Sequence, residues 1–171
     1  AGEQVIAPFR ALATPLVDMV RPMAYQEIYP PEEGGFHPVA AGRTLFVDSI
    51  DLAAAQTIVE ALKASTAVMS ATQLRVLGGA MARVPADATA FAHRSARIMV
   101  NVAAMYMRPE EADQHEAWVT RLADALRQSY EGAYVNFIGD EGEARVRAAY
   151  PGATWERLAA IKRRYDPGNL F

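Results

Sequence analysis

The segment Ala96–Tyr106 constrains the fold more than any other part of the sequence. Its even positions from 98 to 104 are all apolar, whereas Asn101 and two methionines stand at odd positions. Successive side chains of a β-strand point to opposite faces, so this period of two predicts a strand with one purely apolar face. Three further strands are predicted over Arg43–Ser49, Val68–Leu77 and the short run Tyr134–Ile138.

Apolar residues at helical spacing predict four helices around these strands. Asp51 is expected to cap the first helix, whose buried stripe comprises Leu52, Ala55, Val59 and Leu62. The second begins at Pro109 and ends at Gly132, and its buried stripe comprises Trp118, Leu122, Ala125 and Ser129. The last two helices are predicted over about 141–150 and 154–165.

The mixture of these elements indicates an α+β fold. A further helix is predicted over Glu3–Leu12, and the prolines and paired glycines of residues 21–41 predict a long ordered loop. Strands and helices follow one another without regular βαβ spacing. We therefore expect an antiparallel sheet of about four to five strands covered by helices, with a helical C-terminal segment.

Composition and charge exclude several classes of protein. A chain with 51% hydrophobic residues and no cysteine is neither disordered nor dependent on disulfides or thiolate metal sites. A net charge of -3, with the basic residues spread along the chain, argues against a nucleic-acid partner. No membrane span or signal peptide is visible, so we expect a cytoplasmic protein without a membrane partner. The start at Ala1 without methionine suggests a processed chain or a piece of a longer one.

Short catalytic motifs are missing from the sequence. It contains no dinucleotide fingerprint, P-loop, zinc-protease or nucleophile-elbow pattern. His37, His93 and His115 lie far apart without ligand spacing, so no metal site is expected. Gly78-Gly79 lacks the helix and lysine of a phosphate-binding loop, and a bulge or close backbone approach is expected there.

A few polar side chains are candidates for ligand binding, each with a structural alternative. His93 precedes the longest strand and could lie at the rim of the sheet, or be a loop histidine with satisfied hydrogen bonds. Tyr134 and Asn136 share one face of their predicted strand, where they could bind a polar ligand together or simply face solvent. His115 lies on the buried side of a helix and is expected to be a packing residue.

The C-terminal sequence is more specific. It reads YVNFIGDEGE over 134–143, RAAY over 147–150 and WERLAAIKRRYDPGNLF over 155–171. Upstream, LGGA over 77–80 and TAFAHR over 89–94 precede Trp118 in its helix. This combination, from about Gly42 to Phe171, closely resembles the berberine-bridge-enzyme-like FAD-linked oxidases.

The resemblance implies the second domain of a bacterial-type flavoenzyme. In that family an N-terminal domain holds FAD, and an antiparallel sheet forms the roof of the substrate pocket. Residues 1–131 would then be the substrate-binding domain and 132–171 the C-terminal berberine-bridge-type segment, with the FAD-binding domain absent from this chain. The implied partners are that domain, a small organic substrate, and oxygen or another electron acceptor.

The resemblance also suggests roles for individual residues. Tyr134 and Asn136 match the tyrosine and asparagine that approach flavin and substrate, so both are candidate cofactor-binding residues and Asn136 a candidate catalytic one. The family's tyrosine base is replaced by Phe137, which cannot accept a proton.

The expected reaction is hydride transfer from a substrate carbon to flavin N5, with this part of the protein binding and orienting the substrate. Asn101, Tyr106 and His93 are the expected substrate-binding residues, although polarity at a sheet edge would also account for Asn101 and Tyr106. The alternative function is an autonomous, non-catalytic α+β module that binds a small ligand or dimerises.

Overall fold

A computed structural model of the protein describes residues 39–138 and 142–170. Within them, three strands form an antiparallel sheet in the order β1–β3–β2: β1 (Val39–Val47), β2 (Met69–Val76) and β3 (Ile98–Tyr106). The α+β class and the antiparallel sheet are confirmed, although the described part of the sheet has three strands rather than four or five. The predicted helix over 3–12 and residues 21–38 of the predicted loop lie outside the described residues, and residues 39–41 of that loop begin β1.

Over residues 39–138 and 142–170, four helices accompany the sheet: α1 (Leu52–Ala64), α2 (Ala112–Leu126), α3 (Glu143–Ala149) and α4 (Ala153–Tyr165). The predicted cap of α1 is confirmed, because the Asp51 carboxylate accepts a hydrogen bond from the Ala54 amide at 2.8 Å. Helices α1 and α2 pack on one face of the sheet, and the Trp118 indole of α2 donates to the Ala61 carbonyl of α1 at 3.2 Å. This helix face holds the main core, in which Val100 and Val102 are completely buried.

The opposite face of the sheet, which we call the distal face, is formed by the alternate residues of each strand. The register places Thr44, Asn101 and Gln73 side by side in one row and Phe46, Met99 and Arg75 in the next. Phe46 and Met99 belong to a second, smaller apolar cluster, which includes Phe91, Tyr130, Tyr134 and Phe137. Residues from beyond the sheet therefore cover one end of the distal face.

The predicted strand Tyr134–Ile138 is wrong. Residues Val135–Phe137 instead form a 3-10 turn, in which the Phe137 amide donates to the Tyr134 carbonyl at 3.0 Å. The Ile138 amide likewise donates to the Val135 carbonyl, and the Tyr134 amide is satisfied by the Thr44 hydroxyl at 3.0 Å. These amides are consequently unavailable for the ladder that a fourth strand would need.

Helix α2 ends earlier than expected. The backbone of Arg127 is already extended, so the helix stops before Gly132. The next side chain, Gln128, accepts a hydrogen bond from the Asp48 amide at 2.8 Å and donates to the Ser49 carbonyl at 2.9 Å. These two hydrogen bonds hold the chain against the end of β1, at the point where a longer helix would have made its next turn.

Two of the predicted buried stripes need correction. In α2, Ala125 is exposed, and Ser129 lies beyond the end of the helix and is exposed as well. The buried residues of α2 are His115, Trp118, Val119, Leu122, Ala123 and Leu126. In α1, Leu52 is the first helical residue and is 48% exposed, whereas Ile58 is buried. The pair Gly78-Gly79 lies just beyond β2 with positive φ at both residues, so it forms a turn rather than a bulge within the strand.

Candidate functional site

The turn after α2 brings the Tyr134 and Asn136 side chains together. The Asn136 amide donates to the Tyr134 hydroxyl at 2.9 Å, and Asn136 is exposed while Tyr134 is half-buried. The Tyr134 ring packs edge-on against Phe91, with 5.9 Å between ring centroids, and lies 5.6 Å from the Phe137 ring. A phenol and a carboxamide are thus held in one position by the turn, although the predicted strand that suggested their pairing is absent.

A pocket of about 200 Å³ lies beside this pair. One wall is formed by residues 133–136 and another by Ala90 and Phe91. Ala149 and Tyr150, at the end of α3, contribute the rest of the lining together with His93. The pocket is therefore built mainly from apolar side chains, with the Tyr134–Asn136 pair supplying hydrogen-bonding groups.

His93 lies at the base of this pocket and is only 1% exposed. Its Nδ1 atom is 3.0 Å from the Tyr130 hydroxyl, and its ring is 4.5 Å from the Phe46 ring. Within the described residues, its Nε2 atom makes no hydrogen bond of ordinary geometry. Burial lowers the pKa of His93, against the opposing effect of the backbones of Ala149 and Ala133. The environment thus favours the neutral imidazole.

Tyr130 also responds to this environment. Burial raises the pKa of its hydroxyl, partly opposed by a hydrogen bond with Ser95. A neutral phenol facing a neutral imidazole can donate a hydrogen bond to Nδ1, which leaves the imidazole proton on Nε2. His93 is accordingly part of the packed base of the pocket rather than an exposed group at the rim of the sheet.

The two residues predicted on β3 lie on opposite faces of the sheet. Asn101 is on the distal face, 5% exposed, in register with Thr44 and Gln73. Tyr106 is on the helix face, where its ring stacks on His115 at 4.9 Å and burial raises the pKa of its hydroxyl. Asn101 therefore lies on the side of the sheet that carries Tyr134, whereas Tyr106 lies in the core. His115 also lies in the core, as the packing residue that was expected.

Sequence reasoning missed Arg75 as a neighbour of this site. Its guanidinium carbon lies 5.1 Å from the centre of the Phe137 ring, and Phe137 in turn contacts Tyr134. The alternation of β2 alone could have placed Arg75 on the same face as Gln73, but its position beside Phe137 depends on the register with β3.

The described residues offer neither a metal cluster nor a membrane-spanning helix. Among residues 39–138 and 142–170, no group of three or more histidine, aspartate or glutamate side chains is arranged to hold a metal ion. In the same part of the chain, each helix is too short or too polar to cross a bilayer. The acidic residues after Phe137 lie partly outside the described residues, and Glu143 in the first turn of α3 pairs with Arg147 at 2.8 Å.

The C-terminal part of the chain matches a known protein family, and a longer part of the chain is similar to curated proteins. Residues 133–171 match the family model described as berberine and berberine like. The chain is 35% identical over 94 residues to the uncharacterized FAD-linked oxidoreductase YvdP and 37% identical over 97 residues to YgaK, both from Bacillus subtilis (strain 168). These matches cover 55% and 57% of the chain but 21% of each relative, so the chain matches about a fifth of their length.

Solved structures with the same fold come from longer chains as well. BBE-like 1 of Physcomitrella patens has a TM-score of 0.66 at 21% identity, covering 78% of this chain and 29% of that one. Aclacinomycin oxidoreductase has a TM-score of 0.62 at 24% identity, and the match covers 77% of this chain and 31% of that one. The resemblance found in the sequence is thereby confirmed: residues 133–171 match the berberine-like family model, and the chain is similar to part of FAD-linked oxidoreductases and to part of berberine bridge enzyme-like structures.

Proposed function

We propose that this chain is the substrate-facing part of an FAD-dependent oxidoreductase that oxidises a small organic molecule. The Tyr134–Asn136 pair carries the proposal, because it joins two hydrogen-bonding side chains beside a pocket within the segment that matches the berberine-like family. The proposed parent protein has its FAD-binding domain outside this chain. Residues 1–131 then form the substrate-binding domain and 132–171 the C-terminal segment.

The groups around the pocket suit one part of a flavin rather than the whole cofactor. A volume of about 200 Å³ is smaller than the roughly 300–1,000 Å³ of pockets that enclose drug-sized ligands. Asn136 offers both a donor and an acceptor, and the Tyr134 hydroxyl can play either role. Asn136 and Tyr134 would therefore contact the edge of a flavin that another domain binds.

FAD, when bound, would supply the hydride acceptor at its N5 atom, and oxygen or another electron acceptor would reoxidise it. Asn136 binds and orients the reactants through its exposed amide, which its bond to Tyr134 holds in place. Asn101 faces the same side of the sheet and is a candidate substrate contact, whereas Tyr106 is left out because it lies in the core. Phe137 has no proton-accepting group, so a general base at that position is excluded.

The test is an Asn136→Ala substitution in the full-length protein. Turnover should fall tenfold or more, on the order of 1.4 kcal/mol in the activation barrier, because an orienting contact is lost. Gln56→Ala, which removes an exposed amide from α1, is the matched control and should leave turnover unchanged.

Two outcomes would count against the proposal at different levels. Unchanged kinetics in the Asn136→Ala protein would remove Asn136 from the site. A full-length protein that neither binds FAD nor reduces it with any organic substrate would refute the oxidoreductase itself and favour the non-catalytic module. Absorbance of the purified protein near the flavin bands provides the second measurement.

A further inference from the structure

The distal face carries a single kind of charge. The strands contribute every second residue to this face, from 40 to 46 in β1, from 69 to 75 in β2 and from 99 to 105 in β3. Among these described positions, Arg75 is the one ionisable residue. Its neighbours in the register are Met99 within its own row and the neutral amides Gln73 and Asn101 in the next. The described strands themselves therefore offer a ligand on this face one positive charge among neutral side chains.

Arg75 is also held in a defined place. Its guanidinium stacks over the Phe137 ring at 5.1 Å, and its Nη2 atom donates to the Gln73 side-chain oxygen at 3.3 Å. Among the residues that the structure describes, no carboxylate lies within salt-bridge distance of it. An arginine stacked on an aromatic ring keeps its N–H edge available for a planar anion.

This charge adjoins the site described above. Phe137 contacts Arg75 on one side and Tyr134 on the other, with 5.6 Å between the two aromatic rings. Tyr134 in turn accepts the hydrogen bond from Asn136. The four side chains form a continuous row, which runs from a cation to a pair of neutral hydrogen-bonding groups.

We infer that the substrate of this site carries an anionic group, of which a carboxylate is the simplest, that binds the guanidinium of Arg75. The inference rests on the proposed function for the position of the substrate. When substrate and a neighbouring domain cover the face, a neutral substrate would leave the Arg75 charge paired, among the described residues, with the neutral Gln73 amide alone, and a desolvated charge without a counter-charge is unfavourable. A carboxylate supplies two oxygens that match the guanidinium N–H groups.

Equilibrium binding to the flavin-loaded, full-length protein tests the inference. The probes are benzoate and benzamide, which have the same ring and differ in charge, and calorimetry measures both affinities. We expect benzoate to bind at least tenfold more tightly than benzamide, and added salt to weaken benzoate binding alone. Arg75→Gln should abolish the preference by weakening benzoate, while Arg75→Lys should retain part of it. Arg121→Gln, which removes an exposed charge from α2, should leave the preference unchanged.

Several results would overturn the inference. Equal affinities for the two probes, binding of neither, or an unchanged preference in the Arg75→Gln protein would each do so. If Arg75→Gln instead lowers the flavin content of the purified protein and leaves the benzoate preference intact, the anion belongs to the phosphates of the cofactor rather than to the substrate. Failure of the proposed function is distinguishable, because the wild-type protein would then contain no flavin.

Discussion

Gly132 occupies a site with no space for a methyl group, and a Gly132→Ala substitution tests the packing beneath the pocket. A Cβ atom at this position would lie 2.9 Å from His93 Cε1, 2.9 Å from Tyr130 Cε1 and 3.0 Å from Phe46 Cδ2. Non-bonded carbons prefer separations of about 3.5–4.0 Å, so three rings would have to shift. Phe46 and His93 are each 1% exposed, so neither of these two rings can move without displacing its buried neighbours.

The size of the effect follows from two opposing contributions. Overpacking of a well-packed interior costs about 1–3 kcal/mol. The φ angle of Gly132 is outside the left-handed region, so alanine fits the backbone and recovers about 0.4–1 kcal/mol from the unfolded state. The net effect lies between roughly 0 and 2.6 kcal/mol, and we expect the free energy of unfolding to fall by about 1–2 kcal/mol, the middle of that range, with a lower melting temperature.

Thermal unfolding of the full-length protein, followed by fluorescence or calorimetry, measures this change. Gly42→Ala is the matched control, because its Cβ would lie 3.7 Å from the Val102 carbonyl oxygen and 4.0 Å from that of Phe137, at ordinary contact distances. The control should stay within about 0.5 kcal/mol of the wild type or be slightly more stable. A Gly132→Ala protein as stable as the wild type would refute the packing described for His93 and Tyr130.

Two further predictions concern single residues. Burial lowers the pKa of His93 from its ordinary value of 6.5. As the pH falls through about 6.5, the unfolded chain therefore binds more protons at this residue than the folded protein does, and the folded protein loses stability. The melting temperature of the wild type should consequently drop more between pH 7.5 and 5.5 than that of a His93→Gln variant, and equal drops would contradict this origin. Asp51→Ala should destabilise the protein by about 1 kcal/mol through loss of the α1 cap, whereas Asp51→Asn, which can still cap, should melt near the wild type.

Structural features that depend only on residues close together in the sequence could be predicted from the sequence. The alternation over β3 and the Asp51 cap are local patterns, and both are present in the structure. The short run Tyr134–Ile138 has the same alternation as a strand. Its actual turn is stabilised by the Thr44 hydroxyl, which comes from β1 and cannot be inferred from the run itself.

The candidate site was predictable in part for the same reason. Tyr134 and Asn136 are two residues apart, and the turn and their mutual hydrogen bond bring them together without any strand. The alternation of β3 already places Asn101 and Tyr106 on opposite faces of the sheet, as the structure has them. Arg75 could not be assigned to the site, because its proximity to Phe137 depends on strand pairing and on a turn far away in the sequence.

The order of the strands has a consequence for synthesis of the protein on the ribosome. Strands β1 and β2 are made first, yet each pairs with β3 and they do not pair with one another. Among the described strands, neither has a hydrogen-bonded neighbour until residues 98–106 have left the exit tunnel. A nascent chain stalled or cleaved before Ile98 would thus lack the central strand and expose two strands prone to aggregate, which makes translation through 77–97 a vulnerable interval.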